Sequence, residues 1–535
     1  MAEEQGIETV HCTVNGMAVE VPKGTRMIDA AAHVGSDVPH YCYHPGLSAP
    51  AQCRLCLVEV EGSPKLLPAC VTVVQEGNVI RTESEAALEA RKAVLEFLLV
   101  NHPLDCPVCD QSGECKLQDY VSAEGPAMGR LADAKRIVGV DDFGGDVLFN
   151  GDRCVMCTRC VRFMREVAQD ERLGVVQRGS RAVIDTFFDD GLDGNIWADN
   201  VVDICPVGAL VSKDFLHRAR AWDLDRTPSI CPNCSQGCNI TLQVRDNEVM
   251  RLKPRPNDAV NGHWMCDVGR LDYQWINRKG RIEAPLVREG DRFVPMSWSD
   301  TLPRLVDAVR ALSSQRGGAV VSPFLSNEDL GAARRVMEAV GGGRSVYRVE
   351  TGESVVLPGF PQLALREDRA ANVRGSQLFG FERVGDGCAT GGLEAVDNAE
   401  FLLVAGDDLE DAPADFGSGA RLFIYIGQLL NPAARNAHFV LPATTFAEME
   451  GTFTNVNDHV QRFWPALRPP GMARPVWQIL GVLLSGLNGS PAPARPADAF
   501  ALLGAARPEF GQLRFEDLGA TGNPLSGAAT APAGS

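Results

Sequence analysis

Several features that would assign the chain to a common functional class are missing from its sequence. Its 535 residues contain no run of about eighteen apolar residues and no Lys/Arg-rich run, and the formal net charge is −18. We therefore expect neither a membrane-spanning helix nor an electrostatic surface for nucleic acid. The first residues, MAEEQGIETV, are acidic and unlike a secretory signal. We expect a multidomain cytoplasmic protein that docks on other proteins.

Cysteine is almost absent from the second half of the chain and abundant in the first. Sixteen of the seventeen cysteines precede Asp267, and Cys388 alone follows it. Because disulfides are uncommon in a reducing compartment, thiols grouped at ligand spacing indicate metal binding. Cys12, on a predicted strand, is interpreted as a buried small hydrophobe. Cys388, in GDGCATGG, is interpreted as a free thiol in a glycine-rich loop and not as a molybdenum ligand.

Residues 102–115, HPLDCPVCDQSGEC, concentrate four potential ligands in a short segment. A helix is predicted over 84–101, with Leu88, Leu95 and His102 seven residues apart on one face. Pro103 should end the helix at His102, so that the imidazole can turn toward the following thiols. The segment predicts a cluster site with the ligands His102, Cys106, Cys109 and Cys115.

Another group of thiols follows a predicted strand-turn-strand-helix unit over residues 7–35, with its turn at Asn15-Gly16. Its members are Cys42, Cys53, Cys56 and Cys70, at C-x₁₀-C-x₂-C-x₁₃-C spacing. This arrangement is typical of a [2Fe–2S] ferredoxin site, and the Gly-, Ser- and Ala-rich loop would let backbone N–H groups point at the sulfides. Four thiolates also suit structural zinc, which stays open as an alternative.

Two further groups occur between residues 150 and 267. Cys154, Cys157, Cys160 and the remote Cys205-Pro206 match half of a bacterial-type [4Fe–4S] ferredoxin pattern. The nearby Arg153, Arg159 and Arg162 either interact with an anionic cluster or form a solvated basic face. The last group, at C-x₂-C-x₃-C-x₂₇-C spacing, favours iron–sulfur again with zinc as the competitor; it comprises Cys231, Cys234, Cys238 and Cys266.

From about Ser297 onward the sequence pattern changes to α/β. SWSDTLPRLVDAVRAL and NEDLGAARRVMEAV predict capped amphipathic helices, and AVVSPF, EFLLVAGD and RLFIYIG predict buried strands. Their alternation predicts a parallel sheet covered on both faces. Glycines 341–343 follow a helix instead of a strand, so no nucleotide loop is predicted there. Residues 481–535 are rich in Ala, Pro and Gly and are predicted to be a loosely ordered tail.

Four cluster sites without an evident substrate pocket beside them predict an electron conduit. In order and form, the motifs C-x₁₀-C-x₂-C…C, HPLDCPVCDQSGEC, CVMCTRC…CPVGAL and CPNCSQGC…C resemble the large peripheral iron–sulfur subunit of respiratory complex I, the bacterial NADH-quinone oxidoreductase. The resemblance runs from about residue 8 to residue 480. It implies a multidomain α+β and α/β fold.

The resemblance also implies the domains and their cofactors. These are a β-grasp domain with one [2Fe–2S] cluster (1–82), a His-Cys₃ [4Fe–4S] domain (83–122), a ferredoxin-like [4Fe–4S] domain (144–222), a molybdopterin-oxidoreductase-type [4Fe–4S] domain (224–280) and a shortened molybdopterin-oxidoreductase-like α/β domain (281–480). The four ligand groups above, taken in chain order, would hold these clusters. In the family, the last cluster lies off the main path and only some bacterial members keep it. No molybdenum is expected.

The family implies a circuit and partners as well. Electrons would come from NADH through FMN on a neighbouring subunit, cross the first three clusters and pass to a ferredoxin-like subunit that leads to quinone. Neither NADH nor quinone should bind this chain, and it should carry no catalytic residue of its own. Its place would be at the cytoplasmic side of the inner membrane, held through the complex.

Three alternatives compete with this interpretation. Residues beyond about 224 also resemble molybdopterin enzymes such as formate dehydrogenases, but Asp267 and Val268 replace the lysine these enzymes carry after the last cluster cysteine, and NVNDHVQR departs from their Asn-x-Glu-Gly-Arg. The electron-transfer subunit of an NAD-linked hydrogenase shares the first three motifs but usually ends near residue 240. A structural zinc scaffold would be colourless and without a reducible centre.

Overall fold

A computed structural model describes residues 8–312, 316–385 and 392–525. The chain divides into two compact units, Met1–Asp223 (unit 1) and Leu224–Ser535 (unit 2). Both units mix helices with strands, which confirms the predicted fold class. Within the described ranges, no helix has both the length and the hydropathy needed to cross a bilayer. Cys388 lies outside the described residues.

Unit 1 consists of short strands and helices around three small sheets. The strands are β1 (Thr9–Val14), β2 (Met17–Pro22), β3 (Leu57–Val60), β4 (Leu67–Pro68), β5 (Asn78–Arg81), β6 (Val140–Asp142), β7 (Val147–Asn150), β8 (Leu173–Val176), β9 (Val183–Thr186) and β10 (Leu210–Ser212). The helices are α1 (Met27–His33), α2 (Glu85–Leu99), α3 (Lys116–Glu124), α4 (Arg159–Arg162) and α5 (Asn200–Ile204).

The sheet at the start of unit 1 has the strand order β2-β1-β5-β3-β4, with β1 and β5 parallel. Its hairpin turn lies at Asn15 and Gly16, as predicted, and both residues have positive φ (50° and 85°), which matches the twist of the flanking strands. Residues of α1, including Met27 and Ile28, form one core with the sheet, and Cys12 is buried in that core as expected. The thiols of the predicted [2Fe–2S] group lie in the loops of this part.

Helix α2 leads to the predicted His102 ligand loop. Ser84 begins it by accepting a hydrogen bond from the Ala87 N–H at 3.3 Å. The buried face consists of Ala87, Arg91 and Leu95, four residues apart. Leu95 of the predicted face is buried as expected, whereas Leu88 is 38% exposed, so the prediction is wrong for Leu88. The side chain of Arg91 instead turns inward and donates a hydrogen bond to the main-chain carbonyl of Thr82.

Unit 2 contains the eight-stranded sheet of the molecule and the helices that cover it. Its strands are β11 (Asp225–Ile230), β12 (Asn239–Arg245), β13 (Glu248–Pro254), β14 (Leu286–Glu289), β15 (Arg292–Pro295), β16 (Gly317–Val321), β17 (Gly343–Tyr347), β18 (Val355–Val356), β19 (Ala364–Leu365), β20 (Glu382–Arg383), β21 (Phe401–Ala405), β22 (Leu422–Gly427), β23 (Phe439–Pro442), β24 (Gly451–Thr454), β25 (His459–Phe463) and β26 (Asn523–Pro524). Its helices are α6 (Asp267–Leu271), α7 (Trp298–Arg310), α8 (Asn327–Ala339), α9 (Val373–Leu378), α10 (Val476–Asn488) and α11 (Pro496–Ala506).

The eight-stranded sheet of unit 2 has the order β15-β14-β23-β22-β21-β16-β17-β20. Strands β23 to β20 in this order run parallel, and β14 and β15 add an antiparallel edge. Every residue of β21 and β22 is buried, so both faces of the sheet are covered, as the α/β alternation predicts. Gly341 and Gly342 lie between α8 and β17, Gly343 is the first residue of β17, and none of the three begins a helix.

The predicted loose tail is wrong for residues 481–525. Helix α10 continues to Asn488, and α11 packs against α8. Phe500, Leu503 and Phe510 are buried, and β26 pairs with β25. Apolar side chains at helical spacing in PADAFALLGAA outweigh the Ala/Pro/Gly composition on which the prediction rests. Residues 526–535 lie outside the described residues.

Candidate metal-cluster sites

All predicted ligands belong to the described part of the chain, and every cysteine among them is a free thiol. In the conformation of the described ranges, no group of three or more His, Cys, Asp or Glu side chains is arranged so that it could hold a metal ion. Shared cavities, hydrogen bonds and electrostatic effects nevertheless relate the members of each predicted group. The four groups are numbered below in chain order, from the first, which contains Cys42, to the fourth, which contains Cys266.

The thiols of the first group, in the β-grasp part, contact one another. The sulfurs of Cys42 and Cys53 are 3.5 Å apart. Hydrogen bonds from Cys53 and then Cys70 lower the pKa of Cys42 to about 2, and a hydrogen bond with Cys70 lowers the pKa of Cys56 to about 7. All four thiols therefore belong to one hydrogen-bonded group, and two of them favour the thiolate form that metals bind.

Backbone N–H groups also point at the first group. The backbone N–H groups of Cys53 and Gln52 contribute to the lowered pKa of the Cys42 thiol. Their orientation follows from Ala51 and Arg54, which have positive φ of 54° and 56° although neither is glycine. A left-handed residue costs roughly 1–2 kcal/mol, and successive inward N–H groups form an anion-binding concavity. Donation from this loop to bridging sulfide stays a prediction.

The second group lines one cavity of about 510 Å³ in unit 1. Four ligand side chains reach its wall: His102, Cys106, Cys109 and Cys115. Desolvation and then the nearby Arg153 and Lys135 charges lower the pKa of His102, so its imidazole is neutral at pH 7 and can act as a ligand. Arg153 is held beside the site by two hydrogen bonds to Asp105 (3.1 and 2.9 Å).

Two further elements of unit 1 complete the wall of this cavity. Cys115 is the N-cap of α3, and burial raises the pKa of its thiol to about 11, against the opposing effect of the backbone N–H groups of Gln118 and Leu117. Gly208 faces Cys109 so closely that an added Cβ would lie 2.2 Å from the Cys109 sulfur. The position of Cys109 thus depends on a residue without a side chain.

The third group lies in the ferredoxin-like part. Cys154, Cys157, Cys160 and Cys205 line a small cavity of about 20 Å³. Met156 and Thr158, between these cysteines, have positive φ of 51° and 59°, and the Met156 N–H donates to the Cys154 sulfur at 3.4 Å. Burial raises the pKa of all four thiols, Cys157 to about 11 and Cys154 to about 12. A metal cation would reverse this effect and stabilise the thiolates.

Arg162 and Arg159 connect the third group with the first. Arg162 is 4% exposed, and its guanidinium donates to the carbonyls of Ser48, Cys42 and Cys157. Arg159 donates to the carbonyls of Tyr43 and Ile204. The alternative of a solvated basic face is therefore wrong for Arg162. These arginines hold the loop around Cys42 against the loop around Cys157.

The fourth group is buried in unit 2, where each of its cysteines is at most 5% exposed: Cys231, Cys234, Cys238 and Cys266. Cys266 is the N-cap of α6, and its sulfur accepts a hydrogen bond from the Gly269 N–H at 3.3 Å. A Cβ on Gly269 would lie 3.0 Å from the Cys231 sulfur and 3.4 Å from the Cys266 sulfur. Glycine at 269 therefore leaves room for both sulfurs.

Unit 2 also contains a cavity of about 400 Å³ near the carboxyl ends of β16, β21, β22 and β23. The carboxyl groups of Asp272, Glu350 and Asp408 line it. Its two arginines, Arg278 and Arg369, are engaged by neighbouring carboxylates and carbonyls. A molybdenum–pterin cofactor carries phosphate, which needs free cationic or N–H donors. The carboxylates that line this cavity and the engagement of its arginines disfavour a phosphate-bearing cofactor there.

Sequence reasoning misses three contributors to these sites. The sequence shows Arg162 as a cation but not as a buried donor to distant carbonyls. Gly208 has one available signal, its position three residues after Cys205 in CPVGAL. No sequence signal indicates the left-handed conformations of Arg54 and Met156, because neither residue type favours positive φ.

Five family models match parts of the chain. They are the 2Fe-2S iron-sulfur cluster binding domain (8–85), the NADH-ubiquinone oxidoreductase-G iron-sulfur binding region (91–127), the ferredoxin-like domain of NADH-quinone oxidoreductase subunit 3 (144–211), the molybdopterin oxidoreductase Fe4S4 domain (224–278) and molybdopterin oxidoreductase (398–485). The chain thus carries 2Fe-2S and 4Fe-4S binding domains.

Curated relatives match over most of the chain. The G subunit of the NADH-quinone oxidoreductase of Rickettsia felis is 36% identical to this chain, and the match covers 62% of this chain and 49% of the relative. The corresponding subunit of Rickettsia typhi is 33% identical, and the match covers 72% of this chain and 58% of the relative. The mitochondrial NADH dehydrogenase [ubiquinone] iron-sulfur protein 1 of Solanum tuberosum is 40% identical, and the match covers 62% of this chain and 45% of the relative. The chain spans about half the length of these relatives. A solved NAD⁺-reducing [NiFe]-hydrogenase chain is 28% identical over 39% of this chain and 90% of its own, with a TM-score of 0.36.

Proposed function

Because this chain is a homologue of the G subunit of NADH-quinone oxidoreductase, we propose that it relays electrons through iron–sulfur clusters from an NADH-oxidising, FMN-bearing subunit toward quinone. The observation that carries the proposal is the proximity of the first three ligand groups in unit 1. Arg162 donates to carbonyls of the first and third groups, and the Lys116 N–H, after Cys115, donates to the Pro206 carbonyl, after Cys205, at 3.2 Å. Electrons could then cross the unit in short steps.

We propose the predicted ligand sets for the individual clusters. Cys42, Cys53, Cys56 and Cys70 would hold a [2Fe–2S] cluster, and three groups would each hold a [4Fe–4S] cluster: His102, Cys106, Cys109 and Cys115; Cys154, Cys157, Cys160 and Cys205; Cys231, Cys234, Cys238 and Cys266. When bound, the clusters supply the one-electron chemistry.

The protein's part in this function is to position the ligands and to set their charge. The backbone N–H groups of Met156 and Gly269 donate to the sulfurs of Cys154 and Cys266, which favours the more negative, reduced state. Neutral His102 in place of a thiolate makes its site less negative by one charge. The chain itself carries no substrate-converting residue in this proposal, and it binds neither NADH nor quinone.

A partner surface is proposed beside the His102 cavity. Leu104 is 91% exposed, Met128 82% and Leu131 62%, and all three line that cavity. Contiguous exposed apolar side chains favour burial against another protein. We assign this surface to the ferredoxin-like subunit that takes electrons toward quinone, and the complex would hold the chain at the cytoplasmic side of the membrane.

The proposal is tested by measuring iron, sulfide, zinc and molybdenum in the anaerobically purified chain, with EPR spectra after reduction. We expect about fourteen iron atoms, two from a [2Fe–2S] cluster and four from each [4Fe–4S] cluster, with EPR signals of both types. Stoichiometric molybdenum would instead indicate a formate-dehydrogenase-like enzyme. Zinc in place of about four irons would make one site structural, and a chain with zinc alone would refute the electron relay.

A further inference from the structure

The segment between α2 and α3 carries the second ligand group on turns instead of on a helix or strand. Its backbone hydrogen bonds are local: the Cys109 N–H donates to the Asp105 carbonyl at 2.8 Å, and the Ser112 N–H donates to the Cys109 carbonyl at 3.1 Å. Cys109 is nevertheless only 8% exposed. Turns with local hydrogen bonds open at low free energy, so the position of Cys109 depends on support from another part of unit 1.

This support comes from residues 215–222, here called the strap, which follow β10 within unit 1. Three apolar side chains anchor the strap, since each is at most 6% exposed: Phe215, Ala219 and Ala221. Arg220 and Trp222 follow the two alanines in the sequence and contact the ligand segment instead. The strap is thus fixed to the core of unit 1 and presents two large side chains to the loop of the second ligand group.

Arg220 and His217 of the strap contact the middle of the ligand segment. The Arg220 guanidinium donates to the Cys109 carbonyl at 2.9 Å and to the Pro107 carbonyl. The His217 N–H donates to both carboxylate oxygens of Asp110, at 3.2 and 3.0 Å, and Asp110 is 6% exposed. Because a guanidinium is a planar fork, its two hydrogen bonds hold the backbone from Pro107 to Cys109 in one orientation.

Trp222 of the strap covers the end of the same segment. An added Cβ at Gly113 would lie 2.5 Å from the ring carbon Cε3 of Trp222, so the ring lies directly on this glycine. Gly113 has a φ of 88°, which glycine adopts without strain. The Arg220 guanidinium is 6.0 Å from the centroid of the Trp222 ring. Since Trp222 is 64% exposed, the ring shields the loop from solvent without being buried itself.

We propose that Arg220 and Trp222 are positioning residues of the His102 site, which hold the segment from Cys106 to Gly113 closed and thereby slow the loss of its cluster. This inference deepens the proposed function and rests on it. Release of the Cys109 sulfur from a metal requires its backbone to move, and the two hydrogen bonds of Arg220 oppose that movement. Neither side chain takes part in electron transfer.

The test follows the His102-site EPR signal of the reduced, cluster-loaded full chain during anaerobic incubation with an iron chelator. The signal is identified by its change in His102→Cys. We expect it to disappear at least tenfold faster in Arg220→Met, because this variant loses two hydrogen bonds from a charged donor and tenfold corresponds to only about 1.4 kcal/mol. Lys213→Met is the matched control, since Lys213 precedes the strap and pairs with Asp142 at 2.8 Å; its rate should stay unchanged.

Conservative variants separate positioning from general stability. Arg220→Lys keeps the charge but loses the fork, so its rate of signal loss should lie between those of Arg220→Met and the unsubstituted chain. Trp222→Ala should accelerate the loss about three- to tenfold, and Trp222→Phe should restore most of the original rate. Because Trp222 is largely exposed, we expect both of its variants to fold.

Hydrogen exchange of the full chain tests the strap without reference to iron. The amides of residues 106–113 should exchange faster in Arg220→Met and Trp222→Ala than in the unsubstituted chain or in Lys213→Met. Unchanged exchange together with an unchanged rate of signal loss would overturn the inference, as would equal acceleration at all cluster signals. Absence of iron and sulfide from the unsubstituted chain would refute the proposed function instead, and the exchange comparison would then still decide whether the strap holds the segment.

Discussion

Gly208 allows the second ligand group to be perturbed without touching a ligand. Its backbone is not in the left-handed region, so alanine is conformationally acceptable there. An alanine Cβ, however, would lie 2.2 Å from the Cys109 sulfur. Ordinary contact distances are about 3.5–4.0 Å, so the sulfur would have to move by roughly 1.5 Å, whereas metal–ligand distances tolerate about 0.2 Å. Gly208→Ala should therefore remove Cys109 from its ligand position.

The fold itself should tolerate this change. The clashing atom is the end of a side chain that can rotate, so we expect the free energy of unfolding to fall by only about 1–3 kcal/mol. Iron content should drop from about fourteen to about ten atoms per chain, with loss of one [4Fe–4S] EPR signal. Gly129→Ala is the matched control, because Gly129 lines the same cavity and its added Cβ would meet nothing within 4 Å. Full iron and an intact signal in Gly208→Ala would refute the assignment of Cys109.

Three further predictions concern ligation, packing and pH. His102→Cys adds one negative charge to its site, so the midpoint of one [4Fe–4S] signal should fall in a redox titration; identical midpoints would mean that His102 is not a ligand. Arg162→Met leaves three main-chain carbonyls without their buried donor and should lower the free energy of unfolding in urea by about 1–3 kcal/mol, against about 0.5 kcal/mol for the exposed Arg165→Met. Burial raises the pKa of Glu328 from 4.5 to about 7, so the folded state binds more protons between these values and stability should fall by about 3 kcal/mol as pH rises through that window. Glu328→Gln should flatten this part of the pH profile of unfolding, and an unchanged slope would contradict the assignment.

Local sequence signals predict the features that depend on neighbours along the chain. The Asn15-Gly16 turn needs two residues that tolerate positive φ, and the sequence supplies them. Strands such as β21 and β22 are continuous apolar runs, which a sheet covered on both sides requires. The ligand groups follow from spacing, because cysteines separated by two or three intervening residues have few other uses in a reduced protein.

Features that depend on distant partners could not be predicted. Arg162 resembles a surface charge until the carbonyls of Cys42 and Ser48, more than a hundred residues earlier, are found around its guanidinium. The pattern places Leu88 on the buried face because arginine is ordinarily polar and exposed, although Arg91 is the residue that turns inward. The prediction of a loosely ordered tail fails because the average composition hides the apolar side chains with which α11 contacts α8.

The part of unit 1 that is built from β1 to β5 and α1 is not a portable module. Arg162 and Arg159, far outside it, donate to the carbonyls of Ser48, Cys42 and Tyr43, and the Ser48 hydroxyl donates to Glu166 at 2.6 Å. An excised segment would expose these groups around its own thiols. A protein engineer who grafts this part into another protein would have to carry the arginine-bearing segment with it, or rebuild its donors on the new host.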